Sequence, residues 1–192
     1  LYIPLGVEKI LLDPSIPPIV ITEGEKKCLR GVQEGIPCIG LGGVWNWKCS
    51  DSDDLIPDFD RINFQGREVF LVPDSDFRTN ENVQLAVYRL AERLIERGAI
   101  FSIVHLPETD EGKTGLDDYL LTHSRDDFQT LPRTQITSEM VGWVNEPPIE
   151  GLSSLFQESN QAIPLEIKKT EYSYKTKCGR STLIITTKNS RK

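Results

Sequence analysis

The succession Ile19–Thr22, Glu25–Gln33 and Ile36–Leu41 narrows the fold more than any other stretch. A β-branched run, a helical segment stopped by Gly35, and a second apolar run closed by Gly40, Gly42 and Gly43 make a strand–helix–strand unit. Such a unit returns the chain to a parallel neighbour through a right-handed crossover. Leu29 and Val32 are the expected buried side of the helix. Further on, Glu68–Pro73 reads as a strand. Val83, Ala86, Val87, Leu90, Leu94 and Ile95 then keep helical spacing behind a cap at Thr79 or Asn80. Gly98 ends that helix, Ile100–Leu106 is another strand, and Gly115–Leu121 opens a short helix. The alternation predicts an α/β domain with a mostly parallel central sheet flanked by helices on both faces.

Two of these strands end abruptly in carboxylates: Glu23-Gly24 after the first, Asp74-Ser75-Asp76 after Val69–Val72. Residues just past the carboxyl ends of neighbouring parallel strands converge in one crevice, where open α/β sheets bind ligands. Glu23, Asp74 and Asp76 are therefore expected to meet. Three carboxylates in one place repel unless protons or a cation neutralise them, and hard oxygen ligands favour Mg²⁺ or Mn²⁺. Each motif also has a plainer reading. Glu23 suits the positive end of a helix and Asp74 suits an Asx-type turn.

Composition excludes several classes. No apolar run approaches a membrane span and no signal peptide is visible. Cys28, Cys38, Cys49 and Cys178 form no CxxC pair, and His105 and His123 have no partner pattern, so a zinc site is not expected. Free thiols fit a reducing, cytoplasmic setting. No GxxxxGK[ST] loop is present. The chain starts at Leu1, which is read as the start of a fragment of something longer. Residues 1–164 carry 14 Lys+Arg against 27 Asp+Glu, a formal −13, and residues 165–192 carry 8 against 2, a formal +6. A body this acidic repels phosphate, so nucleic acid would need a metal bridge or a local basic patch.

Lys26 and Lys27 sit at the start of a helix, where the dipole disfavours cations; they either pair with the acidic cluster, grip phosphate, or lie solvated. Residues 45–64 exceed an ordinary connection in length. Their Trp45, Trp47 and Phe59 either stack bases or form the loop's own core. The expected organisation is a domain over 1–125, a proline-rich linker or strap over 126–164, and an irregular basic extension over 165–192. In that extension Glu166–Thr176 and Ser181–Thr187 could pair as a hairpin.

Taken together, Glu23-Gly24, Asp74-x-Asp76 and Gly115-Leu116-Asp117-Asp118-Tyr119-Leu120 resemble the Toprim domain, a Rossmann-like fold shared by bacterial-type primases, topoisomerases and some nucleases. Ile21-Thr22-Glu23-Gly24-Glu25-Lys26-Lys27, Gly35-Ile36-Pro37 and Gly40–Trp47 are similar to an uncharacterised Toprim-like family found in primase and replication proteins of plasmids, phages and other mobile elements. The resemblance covers roughly residues 1–121. It implies Glu23 as general acid/base, Asp74 and Asp76 as the metal pair, and Asp117 and Asp118 as supporting carboxylates. Lys27 departs from the pattern, because many primases carry an aspartate there. A lysine at that position exchanges a metal contact for a phosphate contact, or marks altered catalysis.

The expected function is Mg²⁺- or Mn²⁺-dependent phosphodiester or nucleotidyl chemistry. Partners would be DNA or RNA, nucleotides, and flanking helicase or polymerase segments, with no membrane. The alternatives are a non-catalytic metal- and nucleic-acid-binding module, or a Toprim-type nuclease. Candidate residues are Glu23 and Lys27 for catalysis; Asp74, Asp76, Glu23, Asp117 and Asp118 for metal; and Lys26, Lys27, Trp45 and Trp47 for nucleic acid.

Overall fold

Strand β1 (Ile19–Glu23) is buried along almost its whole length, as a run of β-branched residues in a parallel sheet should be. In the computed structural model, which describes residues 1–13, 15, 18–107 and 112–141 and the backbone of two further strands, β1 lies at the sheet's interior. β2 (Cys38–Leu41), β3 (Glu68–Val72) and β4 (Ile100–Val104) join it in parallel, and β5 (Arg133–Ile136) adds antiparallel to β4. The order is β2-β1-β3-β4-β5. From β1 the chain goes one way to β2 and the other way to β3 and β4. The order therefore reverses between β1 and β3.

Helices cover both faces. α1 (Glu25–Gln33) and α3 (Leu116–Thr122) pack on one side, where Cys28, Leu116, Tyr119 and Leu120 meet Val20, Phe70, Val72 and Val104. α2 (Glu81–Glu96) covers the other, with Val83, Val87 and Leu90 beside Leu41, Leu71 and Val72. Each such buried aliphatic side chain contributes about 1.5–3 kcal/mol of transfer free energy. The expected start of α2 is found at Asn80, whose side chain accepts a hydrogen bond from the Val83 amide at 3.3 Å.

Two local expectations are corrected. Leu29 is 42% exposed; the buried side of α1 is Cys28 and Gly31, because the helix approaches β2 closely enough to need a small residue. Ahead of β1, Glu8–Ile10 forms a 3-10 turn and Tyr2 makes an isolated bridge to Gly40 at the β2 edge. Residues 126–136, expected in a linker, instead belong to α4 (Arg125–Gln129) and β5. α4 is capped by Ser124, whose amide donates to the Asp127 carboxylate at 2.7 Å. β5 is followed by α5 (Ser138–Val141).

The chain divides into two units, Leu1–Ser153 and Ser154–Lys192. In the second, β6 (Thr170–Thr176) and β7 (Gly179–Ile185) pair antiparallel, with Thr176 opposite Gly179. The remainder of the expected linker and extension, including Cys178, lies outside the described residues. Among the described residues no helix is long and apolar enough to cross a membrane.

Candidate functional site

The register of β1 on β3 decides which carboxylates can meet. Thr22 pairs with Val72, and its hydroxyl donates to the Val72 carbonyl at 3.2 Å, so the two strands end level with each other. Just beyond them, at the point where the strand order reverses, lies the crevice that the topology predicts. Side chains alternate between the two faces of a strand. Phe70 and Val72 point toward α1 and α3, and Asp74 continues their parity. Glu23 continues that of Ile19 and Ile21. It lines a small cavity with Leu41, Val44, Leu71, Pro73 and the α2 residues Val83, Val87 and Leu90.

The expected meeting of Glu23 with Asp74 and Asp76 therefore does not occur as one cluster. Among the described residues no three His, Cys, Asp or Glu side chains gather to hold a metal ion. What converges instead is an aspartate pair with two lysines. Asp74 is only 6% exposed, and Lys27, in the first turn of α1, donates to both of its oxygens at 2.5 and 2.7 Å. Lys113 reaches the same site from the other side, 3.0 Å from Asp74 Oδ2 and 3.2 Å from Asp76 Oδ2.

Local structure explains how Lys113 arrives. Asp74 leaves β3 in an extended conformation and starts a 3-10 turn, Ser75–Arg78. The Ser75 amide donates to the Thr114 carbonyl at 3.0 Å, and the Thr114 amide donates back to the Ser75 hydroxyl at 2.9 Å. This clamp fixes the chain that enters α3 against the exit from β3. Gly115 follows at the point of closest approach. A Cβ there would lie 2.6 Å from Lys27 Cε, 2.9 Å from Asp117 Oδ1 and 3.3 Å from Asp74 Oδ1. Gly24, at φ +93°, makes the corresponding turn from β1 into α1, a conformation that side chains with a Cβ rarely adopt.

The charges are unevenly satisfied. Partial burial pulls the Lys113 ammonium down, but hydrogen bonds and charge from Asp74 and Asp76 outweigh it, so its pKa ends above the ordinary lysine value. Asp76 Oδ1 and Asp117 Oδ1 are buried and have no hydrogen-bond donor. Leaving such an oxygen unpaired costs about 1–3 kcal/mol, a cost that a hard cation or water beside it removes. Asp74 and Asp76, with Asp117 close by, are the residues that would hold a hard cation such as Mg²⁺ or Mn²⁺, in place of the lysine charge that now engages both Asp74 oxygens and Asp76 Oδ2. Asp118 is committed elsewhere: its Oδ2 accepts the Gly115 amide at 3.0 Å and caps α3.

The remaining candidates separate by exposure. Lys26 is exposed on α1. Trp45 is half-buried, with Nε1 3.2 Å from Asn82 Oδ1 and the Lys48 ammonium 5.2 Å from its ring centre. Trp47 is completely buried beside it and offers no face to a base, which favours the loop's own core for this residue. Beyond Asp74, the edge of β4 contributes His105, bonded to Thr134 Oγ1 at 2.7 Å. Sequence reasoning missed Lys113 and the close approach at Gly115; the one available signal was their position directly before Leu116-Asp117-Asp118.

Fold and site together define an open α/β domain whose strand-order reversal carries an aspartate pair neutralised by lysines. Residues 8–127, more than half of the chain, match the family described as Domain of unknown function (DUF3854), and the chain belongs to that family. No curated protein and no solved structure matches it.

Proposed function

We propose that residues 1–125 are a Toprim-like domain that uses Mg²⁺ or Mn²⁺ to act on nucleic acid. The parent protein would be a cytoplasmic primase or replication protein of a plasmid, phage or other mobile element, with helicase or polymerase segments as neighbours. The observation that carries this reading is the Asp74–Asp76 pair at the β1/β3 reversal, with the Asp76 Oδ1 oxygen buried and lacking a donor. A bound divalent ion neutralises charge on a phosphoryl group and lets a phosphate approach an otherwise acidic body.

The chain's own residues supply the rest. Lys27 fixes the Asp74 carboxylate through both oxygens and adds a positive charge beside it. Asp117, touching the same glycine, supports the pair. Glu23, at the end of the neighbouring strand β1 and with no hydrogen bond or ion pair to its side chain among the described residues, would accept the proton from the attacking oxygen or return it to the leaving one.

The test is Mn²⁺-dependent cleavage or nucleotidyl transfer on single-stranded DNA and RNA by the full 192-residue chain. Asp76→Asn should abolish turnover, and Glu23→Gln should lower it about 10²- to 10⁴-fold while metal binding persists. Turnover that needs no divalent ion, or survives Asp76→Asn, overturns the reading.

A second reading, a binding module without turnover, is favoured by the placement of Glu23 on the α2 side and by the two-oxygen grip of Lys27 on Asp74. It predicts metal and oligonucleotide binding that Asp76→Asn weakens, with no product from any substrate.

A further inference from the structure

The two lysines that neutralise the aspartates are not equivalent. Lys27 holds both oxygens of Asp74, its side chain is 20% exposed, and its Cε packs against Gly115. Its stem is held between Asp74 and Gly115. The Lys113 side chain is 48% exposed, and its ammonium spans one oxygen of each aspartate, 3.0 Å from Asp74 Oδ2 and 3.2 Å from Asp76 Oδ2. One positive charge bridging two carboxylates takes the place that a divalent ion would need. A flexible four-carbon stem open to solvent also gives that charge a way out.

We propose that Lys113 is a resident counter-ion which occupies the divalent-cation position between Asp74 and Asp76 and must swing out for the metal to enter. The inference rests on the metal-dependent reading above and deepens it, because it assigns to one side chain the control of metal affinity. The consequence is competition inside the site. Only the fraction of molecules with Lys113 displaced is competent to bind, and the apparent dissociation constant is raised by the inverse of that fraction. A pair of intermediate exposure, worth more than a surface ion pair and less than a buried one, puts the closed-to-open ratio at about ten. Once displaced, the ammonium stands at the mouth of the site, within reach of an incoming phosphate.

The experiment is Mn²⁺ titration of the full chain, read as free Mn²⁺ by electron paramagnetic resonance, for wild type, Lys113→Met, Lys113→Arg and Asp76→Asn. Lys113→Met should tighten Mn²⁺ binding about tenfold. Lys113→Arg, which keeps a cation on the aspartates, should bind no more tightly than wild type, and Asp76→Asn should lose the site. Thermal denaturation without metal checks that each variant is folded. Binding to Lys113→Met but not to wild type also supports the proposal. If Lys113→Met binds Mn²⁺ with wild-type or weaker affinity, the competition is refuted while the metal site stands. If neither wild type nor Lys113→Met binds, and Asp76→Asn behaves identically, both this inference and the metal-dependent reading fall.

Discussion

Replacing Lys27 with methionine isolates the contact around which the crevice is built. Methionine keeps an unbranched stem against Gly115 and removes only the ammonium. Asp74, 6% exposed, then keeps Lys113 at 3.0 Å but loses the donor that engaged both of its oxygens. Breaking a fully buried pair costs about 3–5 kcal/mol, and an exposed pair about 0.2–1 kcal/mol. A nearly buried carboxylate with one remaining partner falls between, at about 2 kcal/mol. For a unit of this size that corresponds to a loss of about 4–8 °C in Tm. Urea denaturation of wild type, Lys27→Met, Asp74→Asn and the double variant should return a coupling energy above about 1 kcal/mol. Saturating Mg²⁺ stabilises a folded binder by about 2.7 kcal/mol at a hundred times Kd. It should therefore restore much of the loss in Lys27→Met and none in Asp74→Asn. A Lys27→Met chain within about 0.5 kcal/mol of wild type, or a coupling that small, would refute the argument that this pair organises the site.

Other outcomes follow from particular contacts. Gly115→Ala forces a methyl group into the position 2.6 Å from Lys27 Cε and should cost about 1–3 kcal/mol in denaturation, with weakened Mn²⁺ binding. Trp47→Ala should cost about 3–5 kcal/mol, whereas Trp47→Phe, which removes an indole N–H that has no partner, should cost less than about 1.5 kcal/mol. Trp45→Ala should leave stability nearly intact yet weaken single-strand binding by the roughly 1–3 kcal/mol of one stacked base, read by fluorescence anisotropy. His105 is held below its ordinary pKa by burial and then by the Arg78 charge, so the native state keeps it neutral while the unfolded chain takes up a proton. Its contribution is present above pH 6.5, the ordinary value, and is lost as pH falls through the lowered one. Stability should decline from about pH 6.5 downward with a slope of at most one proton, and His105→Asn should flatten that part of the curve.

Much of the fold was legible because it rests on local patterns. β1, α1 and α2 follow from β-branched runs, helical spacing and Gly or Asn at the boundaries, and the chain order of those elements allows few topologies. The site was legible only in part. Glu23 and Asp74 both stand at strand ends. The face each takes depends on the register of β1 on β3, and a shift of one residue inverts it. No pattern within either strand reveals that register. Lys113 was invisible for a related reason: it lies in a loop and reaches Asp74 only through the Ser75–Thr114 clamp, a tertiary contact that no local pattern signals. β5 escaped notice because its four residues, Arg-Thr-Gln-Ile, bury only Ile136, too little for an alternation to stand out.

That modest strand bears on how the domain can be cut. β5 occupies the outer margin of β4, pairing Phe101 with Ile136 and Val104 with Arg133, and its arginine lies over the Phe70 ring at 4.1 Å. A fragment trimmed at residue 125 would strip this cover. The amides and carbonyls of Ile100–Val104 would then face water beside an apolar strand, the arrangement most prone to pairing with a second molecule. Shortened versions should precipitate or self-associate where those retaining residues 126–141 stay monodisperse, and the polar character of β5 suits it to be the terminus of the sheet.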